Sequence, residues 1–220
     1  MTTALGICQA AYRQVNLDQT LSSFSDSQEF PYNIALDLIN TVIQEMNRMG
    51  RYWFAETSLA LTYTIGINNY NLGSVATNPI DPKDVTRIRR EAEDYQGELQ
   101  ELNYRAFQRK YENRSIPVQM PKRWSKFNNI LFLDSIPDQD YTITLYYFED
   151  IPQVVNPTDT LVIPFKDEDV IREGVYAYLC ERIGRPDFGE AYQNYLNKIS
   201  KLLADMKKDT GLPQQWPSAF

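Results

Sequence analysis

The 220-residue chain contains no histidine. That absence removes the side chain used most often for acid–base work near neutral pH and as a metal ligand. Every Ser-His-Asp or Cys-His nucleophile pair goes with it. Cysteine is almost as scarce: Cys8 and Cys180 are the two thiols, too few for a Cys-rich zinc centre or a disulfide framework, so a metal site would need oxygen ligands alone. Long apolar runs are missing as well. No window approaches 18 consecutive apolar residues, and Met1 to Ala10 lacks a basic segment followed by an apolar one. Neither a membrane span nor an export signal is expected, and a reducing cytosol is the expected compartment of synthesis. In that setting the sequon Asn113-Arg114-Ser115 is a chance match. Phosphate loops, dinucleotide fingerprints and nucleophile elbows are absent, and no cofactor or metal is expected.

Positive charge is also in deficit. The net charge is -7 and the sequence pI about 4.8, so the molecule repels nucleic acid and anionic membranes at long range, and any such contact must be local. Aromatics, by contrast, are plentiful: 15 Tyr, 10 Phe and 3 Trp exceed what a modest core requires, and Tyr serves half-wet interfaces.

Three segments carry helical periodicity. Ala35, Leu38, Ile39, Val42, Met46 and Met49 recur on one face after Pro31 and before Gly50. From Asp167 to Ile183, the residues Ile171, Gly174, Val175, Tyr178, Leu179 and Ile183 share a face, and Gly174 there admits close approach of another helix. After Asp187 and Glu190, at capping-box spacing, Tyr192, Tyr195, Leu196, Ile199, Leu202, Leu203 and Met206 form a long stripe. A shorter helix is expected around Thr3 to Gln14, with Leu5, Cys8 and Tyr12 on one side, followed by a Ser-rich connection over Ser22 to Ser27.

Between these helices the period falls to 2. Leu59 to Ile67 and Tyr141 to Tyr147 alternate as strands, and Asn129 to Asp134 reads as a third that turns at Pro137-Asp138 into the Tyr141 strand, giving a hairpin with one earlier strand beside it. Asp84 to Arg90 is ambiguous. Tyr95, Leu99, Leu102 and Ala106 have helical spacing, so Glu93 to Lys110 is expected to be partly helical. The fold class is therefore α+β. A helical base built from residues 1–50 and 165–208 carries an inserted β-rich lobe over 51–164, and 209–220 forms an extended tail.

Paired carboxylates such as Asp138 with Asp140, or those from Asp167 to Asp169, could in principle serve a glycosidase. Turn and helix-start roles account for both groups. The segregation of charge is more informative. From Arg105 to Lys126 the cations are Arg105, Arg109, Lys110, Arg114, Lys122, Arg123 and Lys126 against the single acid Glu112, with Phe107, Tyr111 and Trp124 interleaved. Asp134 to Glu173 holds ten acids against Lys166 and Arg172. Three readings of the basic stretch stay open: a subunit or partner interface, a solvated surface, and a single-strand nucleic-acid contact. If basic and acidic patches of successive copies met, the contact would be heterologous and repeat around a ring. Trp216 and Phe220 in the tail either fold back on the helices or anchor in another protein's groove.

The order of elements carries a resemblance. An N-terminal helical stretch closing near Gly50-Arg51-Tyr52, a β insertion, the run Ile136-Pro137-Asp138-Gln139-Asp140-Tyr141-Thr142-Ile143-Thr144-Leu145-Tyr146-Tyr147, two C-terminal helices and a tail together resemble the head-to-tail adaptors of short-tailed bacteriophages, over roughly residues 28 to 208. The resemblance implies a non-enzymatic virion component, a ring commonly of twelve copies beneath the portal protein that holds the tail nozzle while double-stranded DNA passes through its centre. It further implies that the C-terminal extension, with Leu212, Trp216 and Phe220, fastens onto the portal. On this reading Arg105, Arg109, Lys110, Arg114, Lys122, Arg123 and Trp124 are the candidate subunit or tail interface, and no membrane is involved. The competing readings are another neck or tail-tube ring protein, a carboxylate-based cell-wall hydrolase, and a nucleic-acid-binding module.

Overall fold

The computed structural model describes residues 2–15, 21, 23–24, 30–74, 85–92, 95–111 and 116–210. The elements run α1 (Ala4–Gln14), α2 (Ala35–Met49), β1 (Glu56–Tyr63), β2 (Asn69–Asn71), β3 (Val85–Ala92), β4 (Tyr95–Glu98), β5 (Gln100–Glu101), α3 (Tyr104–Tyr111), β6 (Arg123–Phe127), β7 (Ile130–Leu133), β8 (Tyr141–Phe148), α4 (Glu168–Arg182) and α5 (Phe188–Thr210). This is an α+β chain with helices at both ends and strands in the middle. It divides into two compact units, residues 1–55 with 150–220, and residues 56–149. The Ser-rich connection lies mostly outside the described residues, as do Asn113, Arg114 and Ser115 and the whole tail from 211 onward.

In the helical unit α4 packs against α1, α2 and α5. Burial of Ala35, Leu38, Ile39, Val42 and Met46 follows the expected stripe on α2, with Ile43 added. On α1 the buried face is Ala4, Ile7, Cys8, Ala11 and Tyr12, and the expected Leu5 is only half-buried. Gly174 lies where a Cβ would come 2.7 Å from Val42 Cγ1 and 2.8 Å from Tyr195 Cε2. Three helices meet there because one residue has no side chain. The Asp187 carboxylate is occupied by the Arg185 guanidinium, at 2.9 and 3.0 Å, and by the Tyr176 hydroxyl; this bidentate pair, in place of the expected capping box, holds the turn between α4 and α5.

The chain returning after β8 forms only a bridge at Thr160 and a single 3-10 turn, Phe165–Asp167, before α4, so most of its backbone groups need other partners. Two asparagines of α2, one face apart by seven residues, supply them. The Asn40 amide accepts from the Val154 N–H at 2.8 Å and donates to the Val154 carbonyl at 3.0 Å. Asn47 does the same with Ile151, at 2.9 and 3.0 Å. Further on, Asp159 and Pro157 offer their carbonyls to the N–H groups of Ala4 and Leu5, which a helix start leaves without intrahelical partners. Thr3 caps the same turn by accepting from the Gly6 N–H at 3.2 Å.

The second unit contains two four-stranded sheets, ordered β1-β8-β3-β4 and β2-β7-β6-β5. The core comprises Tyr63, Val85, Ile88, Ile143, Leu145 and Tyr147 from the first sheet with Trp124, Leu131 and Leu133 from the second. Three expectations are corrected here. β7 and β8 do not form a hairpin: β7 pairs with β6 through a tight turn at Asn128, whose φ is 52°, while β8 pairs with β1 and β3. Asn tolerates that left-handed backbone where most residues do not. Ile65 to Ile67 is a turn rather than strand, with Gly66 at φ 81°. Residues 95–98 and 100–101 are strands of the two sheets, and the helix is confined to Tyr104–Tyr111; Leu99, between the strands, is buried in the core rather than on a helix face.

Candidate interaction surface

α3 lies on the face of the second sheet that points away from the shared core. Tyr104, Phe107 and Tyr111, spaced i, i+3 and i+7, make its inner side. The Tyr104 ring stacks on Phe127 at 4.3 Å and 9° and touches Phe132, which also meets Phe107. This aromatic seam fixes the helix's rotation, so Arg105, Arg109 and Lys110 point outward and are exposed. Among the described residues neither Arg105 nor Arg109 has an ion-pair partner, and the Lys110 ammonium lies 5.5 Å from the Tyr111 ring. Arg109 and Lys110 sit in the last turn, where the helix dipole welcomes cations. Arg105 does not share that benefit. It occupies the first turn, and it stands four residues from the like charge of Arg109, unfavourable on both counts for the helix itself.

Lys122 and Arg123 continue the cationic strip. Their backbone N–H groups both donate to Oδ1 of Asp134, at 3.0 and 3.1 Å, while the Tyr111 hydroxyl reaches the other oxygen at 3.5 Å. Asp134 is 5% exposed, so one buried carboxylate ties the end of α3 to the start of β6. The Lys122 side chain is exposed; the Arg123 side chain is half-buried and donates to Gln100 at 3.2 Å. Trp124 departs from its expected role. Strand alternation turns it inward, where it is 1% exposed and its indole N–H donates to the Leu99 carbonyl at 3.2 Å. It is a core residue and not part of an exposed interface. Lys126 is likewise engaged, donating to the Val85 carbonyl at 2.9 Å and lying 3.4 Å from Glu101. The exposed cations are thus Arg105, Arg109, Lys110 and Lys122. Arg114, Leu212, Trp216 and Phe220 lie outside the described residues.

The acidic stretch is no matching face. Asp134 is used as above, Asp138 accepts from the Tyr141 hydroxyl, Asp140 from the Ile65 N–H, and Glu149 from the Tyr147 hydroxyl. Asp150 pairs with Arg51, Asp159 accepts from the Val155 and Asn156 N–H groups, Glu168 accepts from Thr2, and Asp169 and Glu173 share Lys198. Sequence counting saw a charge run; the backbone disperses it into turns and pairs over both units. Two N–H donors hold the half-buried Asp159 carboxyl below the usual range. Asp138 and Asp140 occupy the turn roles that their spacing suggested.

The surplus tyrosines gather around one acid of α2. Tyr178 and Tyr192 donate to the two oxygens of Glu45 at 2.7 and 2.5 Å, and Tyr195 lies against the Val42 carbonyl. The signal was available: Glu45 stands one position before the buried Met46, on the edge of the apolar stripe. Burial first, and then the Glu45 carboxylate, push the Tyr178 and Tyr195 phenols well above their ordinary range; at Tyr192 the Glu45 hydrogen bond leads. Burial and then hydrogen bonding with Cys180 and the charge of Asp187 raise Tyr176 to about 12. A phenol held neutral by the fold contributes stability that is whole below its unfolded value, about 10, and is lost as pH climbs through the folded value. Alkaline titration is therefore expected to release tyrosinate absorbance between about pH 10 and 12 together with loss of helical circular dichroism. Ionisation of all 15 tyrosines near pH 10 with the helical signal intact would contradict this coupling.

Both thiols pack in the helical core. Burial raises Cys8 to about 12, and burial also raises Cys180, which makes inert structural residues of them. Among the described residues no group of three Cys, Asp or Glu side chains is placed to hold a metal ion, and no helix is long and apolar enough to cross a membrane. A family model described as SU10 adaptor protein matches residues 2–217. The comparison with curated proteins gives no match.

Proposed function

The chain belongs to the SU10 adaptor protein family and is a phage adaptor; from that premise we propose that it is a structural protein of the virion neck, forming a closed ring between the portal and the tail nozzle around the DNA channel. The observation that carries this reading is the extent of the family match, which takes in both compact units and the segment bearing α3. Twelve copies surround the channel. The outward cations of α3 with Lys122 grip the next subunit or a tail protein, since Arg105 is unfavourable to its own helix and has no ion-pair partner among the described residues. Nine of the ten acids from Asp134 to Glu173 are engaged in turns and pairs, Asp167 being the exception, which suits a part that supports neighbours. Residues 211–220, with Leu212, Trp216 and Phe220 as anchors, fasten the ring to the portal. A net charge of -7 keeps passing DNA from sticking to the ring at long range.

Incorporation into purified particles tests this. Deleting 211–220 is expected to leave the circular dichroism spectrum and melting temperature unchanged while the chain is lost from the portal. Arg105→Glu with Arg109→Glu is expected to keep stability within about 0.5 kcal/mol but to lower incorporation at least tenfold. Unaltered incorporation of both variants would remove the proposed roles of tail and α3, and a chain missing from wild-type particles would remove the reading itself.

A further inference from the structure

Every sheet of the β-rich unit has two edges, and three of the four are short: β2 has three residues, β4 four and β5 two. The fourth edge, β1, has eight. Long edges in natural sheets are normally guarded by lysine, proline, a bulge or a covering segment, because their outward N–H and C=O groups template another strand. β1 contains no lysine, proline or bulge, and no strand among the described residues pairs with its outer side. Its sequence is Glu-Thr-Ser-Leu-Ala-Leu-Thr-Tyr, and its pairing with β8 runs unbroken over all eight residues, whereas the β3–β8 pairing shifts register between Val85 and Arg87. The outward backbone groups of 56–62 have no hydrogen-bond partner among the described residues, and Ser58, Ala60 and Thr62 are exposed. From Thr57 to Tyr63 there is no charge to repel an incoming strand.

The strand order says what fits there. In β1-β8-β3-β4 every neighbour is antiparallel, so the two edge strands run in opposite directions. A rotation about an axis along the strands preserves direction. It sets the β4 of one copy beside the β1 of the next in antiparallel pairing, and it repeats without limit until it closes. Charge does not oppose this order: Glu56, the one charged residue of β1, lies 3.9 Å from the Arg87 guanidinium of its own chain, and Glu98 of β4 lies 3.6 Å from the same guanidinium. Pairing two β1 strands across a two-fold axis would instead end at a dimer.

We propose that the β1 edge is a strand-addition site and that its occupant is β4 of a second copy of this chain, so that the first sheet continues from subunit to subunit. This rests on the ring reading above and names how its subunits join. A pairing of four residues is marginal alone, so the free chain is a monomer and the contact forms when the particle concentrates the copies.

Disulfide trapping in particles decides it. Ser58→Cys, Ala60→Cys and Thr62→Cys, each combined with Glu98→Cys, sample three registers on one face. Within a chain β8 and β3 separate β1 from β4 by about 14 Å, beyond the roughly 7 Å limit for a disulfide, and Cys8 and Cys180 are fully buried. One of the double variants is expected to give a ladder of multimers on non-reducing gels, and the single variants none. A dimer from a single β1 cysteine would replace the proposal with two-fold pairing. No ladder from any double variant, with the chain present in the particle, overturns the pairing and leaves the adaptor reading intact; absence of the wild-type chain from particles overturns that reading instead. Amide hydrogen exchange on the wild-type chain needs no variant to assemble: amides within 57–62 are expected to slow at least tenfold in particles relative to the free chain. Equal exchange overturns the proposal.

Discussion

Trp124→Ala is expected to destabilise the β-rich unit by about 3–5 kcal/mol, the range for deleting a large buried aromatic. The indole is fully enclosed beside Leu131, Leu133 and Leu145. Its removal empties that volume and also strips the Leu99 carbonyl of its donor. Urea unfolding followed by circular dichroism should show the transition of residues 56–149 moving to lower denaturant while that of the helical unit stays in place. Trp124→Phe should recover most of the loss. Stability within about 0.5 kcal/mol of wild type, coupled to failed assembly, would return Trp124 to an interface and refute its placement in the core.

Asn40→Ala combined with Asn47→Ala is expected to cost about 2–4 kcal/mol, because it orphans the N–H and C=O groups of Ile151 and Val154, each such buried group costing about 1–3 kcal/mol before water partly compensates. Both residues are nearly fully buried, at 2% and 4% exposure. The amides of Ile151 and Val154 should then exchange hydrogen far faster than in wild type. Asn→Asp at both positions keeps the acceptors and loses the donors, so an intermediate cost is expected. Unchanged melting of the double alanine variant would mean that the returning segment is held by its apolar side chains alone.

These asparagines also mark where sequence reading stops. Periodicity exposes helices α2, α4 and α5 because their apolar residues repeat every three to four positions, and Gly174 stood out as the gap in a stripe. An asparagine on the polar flank of such a stripe looks like any solvated residue, and nothing local indicates that a chain more than 100 residues later will lie across it. Strand ends fail for a related reason. Ile65 and Ile67 extend the alternation of β1, yet they sit in a turn held by Asp140 and Pro137, at 57% and 44% exposure. Pro137-Asp138 is the stronger turn signal in the sequence, yet the hairpin turns at Asn128-Asn129, because Asn128 supplies the positive φ that a two-residue turn requires. Around Trp124, flanking lysines and arginines suggested an exposed basic patch, whereas alternation along β6 sends neighbouring side chains to opposite faces. The exposed cations of α3 were legible as charge. Their common direction was not, since it depends on an aromatic seam whose other half, Phe127 and Phe132, lies on β6 and β7.

The discontinuity of the helical unit has a consequence for birth at the ribosome. The first turn of α1 finds acceptors on Pro157 and Asp159, and the helix that α1 and α2 both pack against begins at Glu168. Residues 56–149 must be translated before either is available, an interval of about 5–20 s at ordinary elongation rates. Throughout it the nascent α1 and α2 expose their apolar stripes, while the contiguous β-rich unit already has everything it needs to close. A nascent chain arrested far enough beyond residue 150 for β8 to have left the ribosomal exit tunnel, with α4 still inside it, should therefore show a finished sheet pair trailing an unfinished bundle, and holdase chaperones should favour that species over the released chain.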